Sequence, residues 1–449
     1  MDEESLKRLA GIAERSNRID EKLYNRYNVK RGLRNKNHTG VLVGLTNIGD
    51  VIGYESVNGN VVPIDGKLIY RGIDIRELVS GFQAENRQGF DETVFLLLFG
   101  RLPGKGELDA FSSHIAELRV LPHNFTEDMI LKLKGRDVMN MLARSVLSLY
   151  SFDQKADDVS VPNLLGQSMD LVAKFPAIIV YSYFAMQHHY NYEPLIIRHP
   201  KKELGTSENF LYMLKGKDYT PLEASILDLI LVLHAEHGGG NNSSFATHVV
   251  SSSGTDTYSA IAAALGSLKG PLHGGANAKV IEMMDDIKRN LRNWADEAEV
   301  ESYLRKVLKK EAFDRSGRIY GFGHAVYTIS DPRAVLLREE ARRLAKEKGR
   351  ENEFELYLMV ERLVPKLFAE SKGTHKILCT NVDFYSGFVY DCLNIPRELN
   401  TPLFAMARVV GWCAHRMEEL VSSRKIIRPD YRNVWEKKAY IPMAERNLQ

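Results

Sequence analysis

Cysteine is scarce. The 449 residues hold three, Cys379, Cys392 and Cys413, with no Cys-x-x-Cys pair among them. That removes the disulfide-framework reading, and the odd count fits reduced thiols in a cytoplasmic protein. Cys392 and Cys413 stand in apolar helical text and read as buried, inert thiols. Charge of one sign is lacking too. Lys and Arg number 60 against 58 Asp and Glu, a net charge of +2. Nothing therefore argues for bulk binding to nucleic acid or an anionic membrane, and any anion site must be local. The first residues, MDEESLKRLAGIAERSNRIDEKL, carry charges throughout and no apolar signal core. The uncharged stretch 175–192 contains Pro176, Gln187, His188, His189 and Asn191. A membrane span needs about 20 mostly apolar residues, so this stretch reads as a buried core helix. No internal repeat or low-complexity tract is evident.

What is present is ordinary globular composition, 44% hydrophobic and 26% charged. The length allows about three domains of ~150 residues or two larger ones. Residues 1–40 read as an amphipathic helix (Leu6, Leu9, Ile12) and a basic polar connector. The only strong β text is 41–72, where Val41-Leu42-Val43, Val61-Val62 and Leu68-Ile69-Tyr70 alternate with Gly53, Asn58-Gly59 and Asp65-Gly66. The Asn-Gly and Asp-Gly pairs are turn signals, and a small sheet or hairpin is expected. From Ile73 onward helices dominate, so the chain reads as mainly α. Thr220-Pro221-Leu222-Glu223 looks like a capping box whose helix runs to His237, before Gly238-Gly239-Gly240. Thr401-Pro402 starts another expected helix with a stripe of Met406, Val410, Cys413, Met417 and Leu420. Arg408 points away from that stripe. The mixed-sign runs 285–318 and 337–354 read as exposed helical faces. They interrupt more apolar text on either side, as a second, smaller domain inserted into a larger one would.

Chemistry gathers at Gly-rich turns. Gly270-Pro271-Leu272-His273-Gly274-Gly275-Ala276-Asn277 holds one histidine between helix breakers, and its glycines allow close approach. Alone, such a His is more often structural. Gly321-Phe322-Gly323-His324 has the same setting, followed by Asp331-Pro332-Arg333, where Asp331 can cap a helix. Asp383 lies in the apolar and aromatic text Asn381-Val382-Asp383-Phe384-Tyr385, which would raise its pKa toward that of a useful base. An N-cap role is the competing reading. His237 and Asn241 flank the triple glycine. Arginines at 333, 408 and 428 can fork onto carboxylates. Together these suit proton abstraction beside a carbonyl on a polycarboxylate substrate. The base takes a carbon-bound proton, a neutral His holds the enolate oxygen, and another His protonates an acceptor carbonyl.

At this point the text resembles the citrate synthase family. The matching motifs are GPLHGGAN (270–277), GFGHAVYTISDPRA (321–334), NVDFYSG (381–387), TPLFAMARVVGWCAH (401–415) and IIRP (426–429). The resemblance implies a two-domain citrate synthase-like helical fold with a small N-terminal β element. Its expected parts are a helical arm at 1–40, a large domain at 41–273 and 388–449, and a small domain at 274–387. It implies a homodimer that condenses acetyl-CoA with oxaloacetate and water, by way of an enol or enolate and citryl-CoA, to citrate and CoA. Asp383 would deprotonate the acetyl methyl, His273 would hold the thioester oxygen, and His324 would protonate the oxaloacetate carbonyl. His237, Asn241, Arg333 and Arg408 would bind or line the oxaloacetate site, with Arg428 reaching the partner's site. Backbone at Gly321, Phe322 and Gly323 would approach coenzyme A, a substrate rather than a tightly bound cofactor. No metal is implied. Thr328 and Asp430 stand where many relatives carry basic residues, and the text before the sheet argues against the NADH-regulated hexameric type.

The nearest rival is 2-methylcitrate synthase, which uses propionyl-CoA. One methylene discriminates by only about 1–3 kcal/mol, and Phe384-Tyr385 favours the acetyl enzyme. Remoter readings are a metal site of His234, His237 and His248, or a non-catalytic helical scaffold.

Overall fold

The computed structural model describes residues 2–446 apart from 36, 38, 59, 374–376 and 424. Two short helices open it, Glu3–Asn17 and Glu21–Arg26, capped by the side chains of Asp2 and Asp20. Neither buries a residue, and Leu6, Leu9 and Ile12 face solvent. Val41-Leu42-Val43 is not a strand. This stretch is irregular, with Leu42 82% and Leu45 89% exposed.

The sheet is an antiparallel meander of β1 (Gly49–Val57), β2 (Asn60–Tyr70) and β3 (Ile73–Asp74). Gly49 pairs with Tyr70 and Val57 with Asn60, and the register slips between Ile52 and Tyr54. Two of the expected turn glycines have another function. Gly66 lies inside β2, where a Cβ would sit 2.1 Å from the Ser330 carbonyl oxygen. At Gly53, in the register slip, a Cβ would sit 2.4 Å from the Val326 carbonyl oxygen. Both leave room for the backbone that follows His324. Ser330 Oγ accepts from Gly66 N–H at 3.2 Å and donates to Asp65 Oδ1 at 2.9 Å, fixing that segment to the sheet.

Helices make up the rest. Val161–Asn191 is the one helix among the described residues long and apolar enough to cross a membrane, yet 83% of its most apolar window is buried inside the protein. It continues through Pro176 and packs against Lys105–Leu118, Val138–Leu149, Thr206–Lys215 and Asn400–Glu418. Asn400–Glu418 is buried on every side from Pro402 to Arg416 apart from Phe404, as a helix inside a core must be. The face on which Arg408 lies is therefore buried too. Arg408 does leave the Met406–Val410 stripe, but for a second buried surface. Nor does Thr401 cap this helix. It begins at Asn400, and the Thr401 hydroxyl donates to the Gly274 carbonyl at 3.0 Å.

The helix from Pro221 ends at His234, three residues short of the expected end. Its capping box is half formed. Thr220 Oγ accepts from Glu223 N–H, while the Glu223 carboxylate turns to Lys215 and Lys348. Residues 276–392 supply Ala276–Asn290, Glu297–Leu308, Pro332–Glu347, Glu351–Lys372 and Val382–Cys392, which pack mainly on one another. Their charged outer faces carry pairs such as Arg305–Glu370 and Arg362–Glu297. Cys392 and Cys413 are buried, and burial pushes both thiols up to about 12, so they stay protonated and inert.

Candidate active site

His237 stands just past its helix because the sheet holds that end. The Tyr70 hydroxyl of β2 lies 3.0 Å from the Val232 and Glu236 carbonyl oxygens and accepts from Glu236 N–H at 3.2 Å. Nε2 of His237 is buried with no hydrogen-bond partner. Burial, reinforced by Arg333 and the neighbouring histidines, pushes its pKa well down, so the ring is neutral.

The loops carrying His324 and Asp383 are joined. Gly321 and Gly323 have φ of 81° and 83°, a region glycine enters freely. Gly323 N–H donates to Cys379 O at 2.8 Å, Asn381 N–H to Gly321 O at 2.9 Å, and Phe322 bridges Thr380. Gly323 N–H and Gly321 C=O are thus engaged within the protein. His324 Nδ1 accepts from the N–H groups of Val326 and Tyr327, both at 3.1 Å. A neutral ring must then carry its proton on Nε2. That ring stacks on Tyr327, with centroids 4.6 Å apart, and meets His237 at 90° and 5.0 Å. Burial, with Arg333 and more weakly Arg34, lowers its pKa to about 4.

Asn381, not Asp383, caps the helix Val382–Cys392, accepting from Asp383 N–H at 3.1 Å. The Asp383 carboxylate is therefore released from capping. Burial pushes it up to about 6, against the pull of Arg333 and aided by Asp331. Asp331 caps its own helix through Arg333 N–H, and also holds the Arg333 guanidinium at 3.0 and 2.8 Å. Its Oδ2 accepts from Val382 N–H as well, at 3.2 Å. One buried carboxylate thus orients both the arginine and the first turn beneath Asp383.

Arg408 enters from the central helix. Its Nε donates to His234 O at 2.6 Å and its guanidinium lies 4.8 Å from the Phe404 ring centre. Nη1 and Nη2 are buried without partners. Burial lowers its pKa to about 10, still cationic at neutral pH, with Glu236 opposing the shift. Unmatched buried donors of this kind cost about 1–3 kcal/mol each, more when charged. Two of them beside an unpartnered His237 nitrogen point to a bound anion.

His273 closes the other side. Its Nε2 lies 3.0 Å from Ser243 Oγ, which accepts from Trp412 Nε1 at 3.1 Å and lies 2.9 Å from Asn241 Oδ1. Burial and Arg408 lower the His273 pKa to about 4. A Cβ at Gly274 would sit 2.4 Å from the Leu268 carbonyl oxygen, so this glycine serves close packing. Asn277 is structural, donating to Ser386 Oγ at 2.6 Å and accepting from Asn400 Nδ2 at 2.8 Å.

His237, His324, Arg333, Asp383, Arg408 and His273 are thus linked by contact or by the charges that set one another's pKa, and Asn241 joins through Ser243. Arg428 is exposed on an extended segment held by Ile427 N–H to Ser252 Oγ, and a single chain does not bring it into the cluster. His234, His237 and His248 do not converge: His234 stacks on Phe404, His237 faces His324 and His248 pairs with His415. Sequence reasoning missed Ser243, Trp412 and Tyr327, and missed that Asp331 does more than cap. Only Asp331 left a usable signal, a carboxylate two residues from a functional arginine.

A family model described as "Citrate synthase, C-terminal domain" matches residues 37–430. A citrate synthase of Synechocystis is 36% identical over 85% of this chain and 89% of its own length. A 2-methylcitrate synthase of Shewanella oneidensis is 34% identical over 84% of this chain and 92% of its own. Among solved structures, a citrate synthase from Thermoplasma acidophilum, described as a ternary complex with carboxymethyl coenzyme A and oxaloacetate, superposes with a TM-score of 0.74. It is 27% identical, covering 93% of this chain and 99% of that one.

Proposed function

The chain belongs to the citrate synthase family, and on that premise we propose that it condenses acetyl-CoA with oxaloacetate and water to give citrate and CoA. One observation carries the reading: two unpartnered guanidinium nitrogens of Arg408 and the bare Nε2 of His237 lie beside a neutral His324 and a carboxylate with a raised pKa. The arginine binds a substrate carboxylate, and the histidines meet its carbonyl.

Asp383 takes a proton from the acetyl methyl. The electron pair moves to the thioester oxygen, where His273 stabilises it by a hydrogen bond. That needs the one ring proton on His273 Nδ1, so Nε2 accepts from the Ser243 hydroxyl, which turns from Asn241 Oδ1 to do so. The enolate carbon then attacks the oxaloacetate ketone, whose oxygen takes the proton from His324 Nε2. Water cleaves the resulting citryl-CoA at the thioester, releasing CoA. A neutral His273 suits this role, because an imidazolium would protonate the oxygen too early. His273→Ala is expected to lower kcat by roughly 10²–10³-fold with little change in oxaloacetate affinity. An unchanged kcat would remove His273 from the mechanism.

Thiol release measured with each acyl-CoA tests the substrate. It should require oxaloacetate, and kcat/KM should favour acetyl-CoA over propionyl-CoA by about 10–200-fold, the value of one methylene. The likeness to a 2-methylcitrate synthase keeps propionyl-CoA as the second reading, and a propionyl-CoA preference would select it.

The same reading includes a homodimer in which Arg428 acts on the partner's oxaloacetate and residues 274–387 close over the site. Exposure of Arg428 on a single chain supports this. Arg428→Ala subunits mixed with Asp383→Ala subunits should regain part of the activity, since each heterodimer then holds one intact site. Three free thiols favour a cytoplasmic location.

A further inference from the structure

Behind the substrate site lies a second cluster of ionisable groups that the condensation does not use. Helix Asn400–Glu418 supplies His415 and Glu418, three residues apart and so on one face. Helix Asn242–Ser251, packed against it, supplies His248. His248 Nε2 and His415 Nδ1 are 3.1 Å apart, Glu418 Oε2 is 4.0 Å from His415 Nδ1, and the three ligand atoms all lie within 4.8 Å of one another. We propose that His248, His415 and Glu418 form a binding site for a divalent transition cation of the zinc class.

The groups around these atoms favour a cation. His248 Nδ1 lies 2.8 Å from Glu419 Oε2, and His415 Nε2 lies 2.8 Å from Glu236 Oε1. Each ring therefore has a carboxylate behind it, the arrangement that orients metal-ligating histidines and makes them better donors. A neutral imidazole has one N–H. With each N–H directed outward to its carboxylate, the inner nitrogens present two lone pairs to each other. Nothing but a cation or an extra proton makes that contact favourable. Glu418 Oε1 accepts from Asn47 N–H at 2.6 Å, but its buried Oε2 has no hydrogen-bond partner.

Bonds of about 2.1 Å at tetrahedral angles put ligand atoms roughly 3.4 Å apart, so small side-chain adjustments suffice. Two imidazoles and one carboxylate suit zinc, cobalt or nickel, whereas magnesium and calcium prefer oxygen. With three protein ligands, water would complete the coordination. Glu236 Oε1, behind His415, also accepts from Gly238 N–H at 2.5 Å, so occupancy would stiffen the turn that carries His237.

Cobalt and zinc titrations of the chelator-stripped full chain test the site without reference to activity. We expect one cobalt per chain with visible d–d bands, displaced by equimolar zinc and not by magnesium. Glu419→Gln should weaken binding about 10–100-fold as an outer-shell change. His248→Leu and Glu418→Gln should each weaken it at least as much, and circular dichroism reports whether each variant folds. Glu418→Gln keeps an oxygen for Asn47 N–H and serves if His248→Leu does not fold. An extra proton in place of the metal predicts no saturable cobalt binding to the unsubstituted chain, which would overturn the proposal. Stoichiometric binding unchanged in folded Glu418→Gln and His248→Leu would overturn it equally.

Discussion

Asp383→Ala is expected to lower kcat for condensation by about 10²–10⁴-fold, the span of general base catalysis, while oxaloacetate still binds. The carboxylate is held near pKa 6 chiefly by burial, and only its ionised form can accept a proton. The kcat/KM of the unsubstituted enzyme should therefore fall tenfold per pH unit below about 6, as expected for a single base in the free enzyme. Stability should move the other way. In the unfolded chain this carboxyl titrates near 3.8, and in the folded chain near 6. The folded state thus carries an unfavourable charge at every pH above about 6, and the penalty disappears below 3.8. At pH 7.5 it amounts to at most roughly 3 kcal/mol. Asp383→Asn should therefore raise Tm at pH 7.5 and lose that advantage at pH 4 while remaining inactive. An active Asp383→Ala enzyme would require another base.

The second large effect is at Arg408. Hydrogen bonds to charged groups contribute about 1.5–3 kcal/mol each. Two from Nη1 and Nη2 to one substrate carboxylate make Arg408→Met roughly 10²–10⁴-fold weaker for oxaloacetate. Calorimetric titration with oxaloacetate measures this directly. The folded protein need not suffer, because the substitution removes a buried cation whose outer nitrogens lack protein partners. Unchanged oxaloacetate affinity in a folded Arg408→Met protein would move the anion site elsewhere.

Local grammar was readable wherever one residue decides the outcome. Pro332 after a capping Asp331 stands where its chemistry places it. What local grammar misses is contact between segments distant in the chain. Gly53 and Gly66 look like turn residues, but they make room for the backbone of residues 326–330. Thr401 looks like a cap, but it is bonded to Gly274. Helical periodicity correctly turned Arg408 away from its apolar stripe, yet it carried no information that the opposite face is buried as well. Ser243 is one serine in a small-residue segment, and only the fold brings it between His273 and Trp412. Of the site, the residue types and their turns were legible. The hydrogen bonds that set tautomers and pKa values required the three-dimensional arrangement.

In the proposed condensation this cluster removes one proton from the acetyl methyl and joins that carbon to oxaloacetate. Acetyl-CoA carrying a fully deuterated methyl, incubated with oxaloacetate and the enzyme, tests it by mass spectrometry of the product. The expected product is citrate that retains two of the three deuterium atoms, formed in equal amount with free CoA. CoA release without citrate, or failure of oxaloacetate to stimulate release, would contradict it.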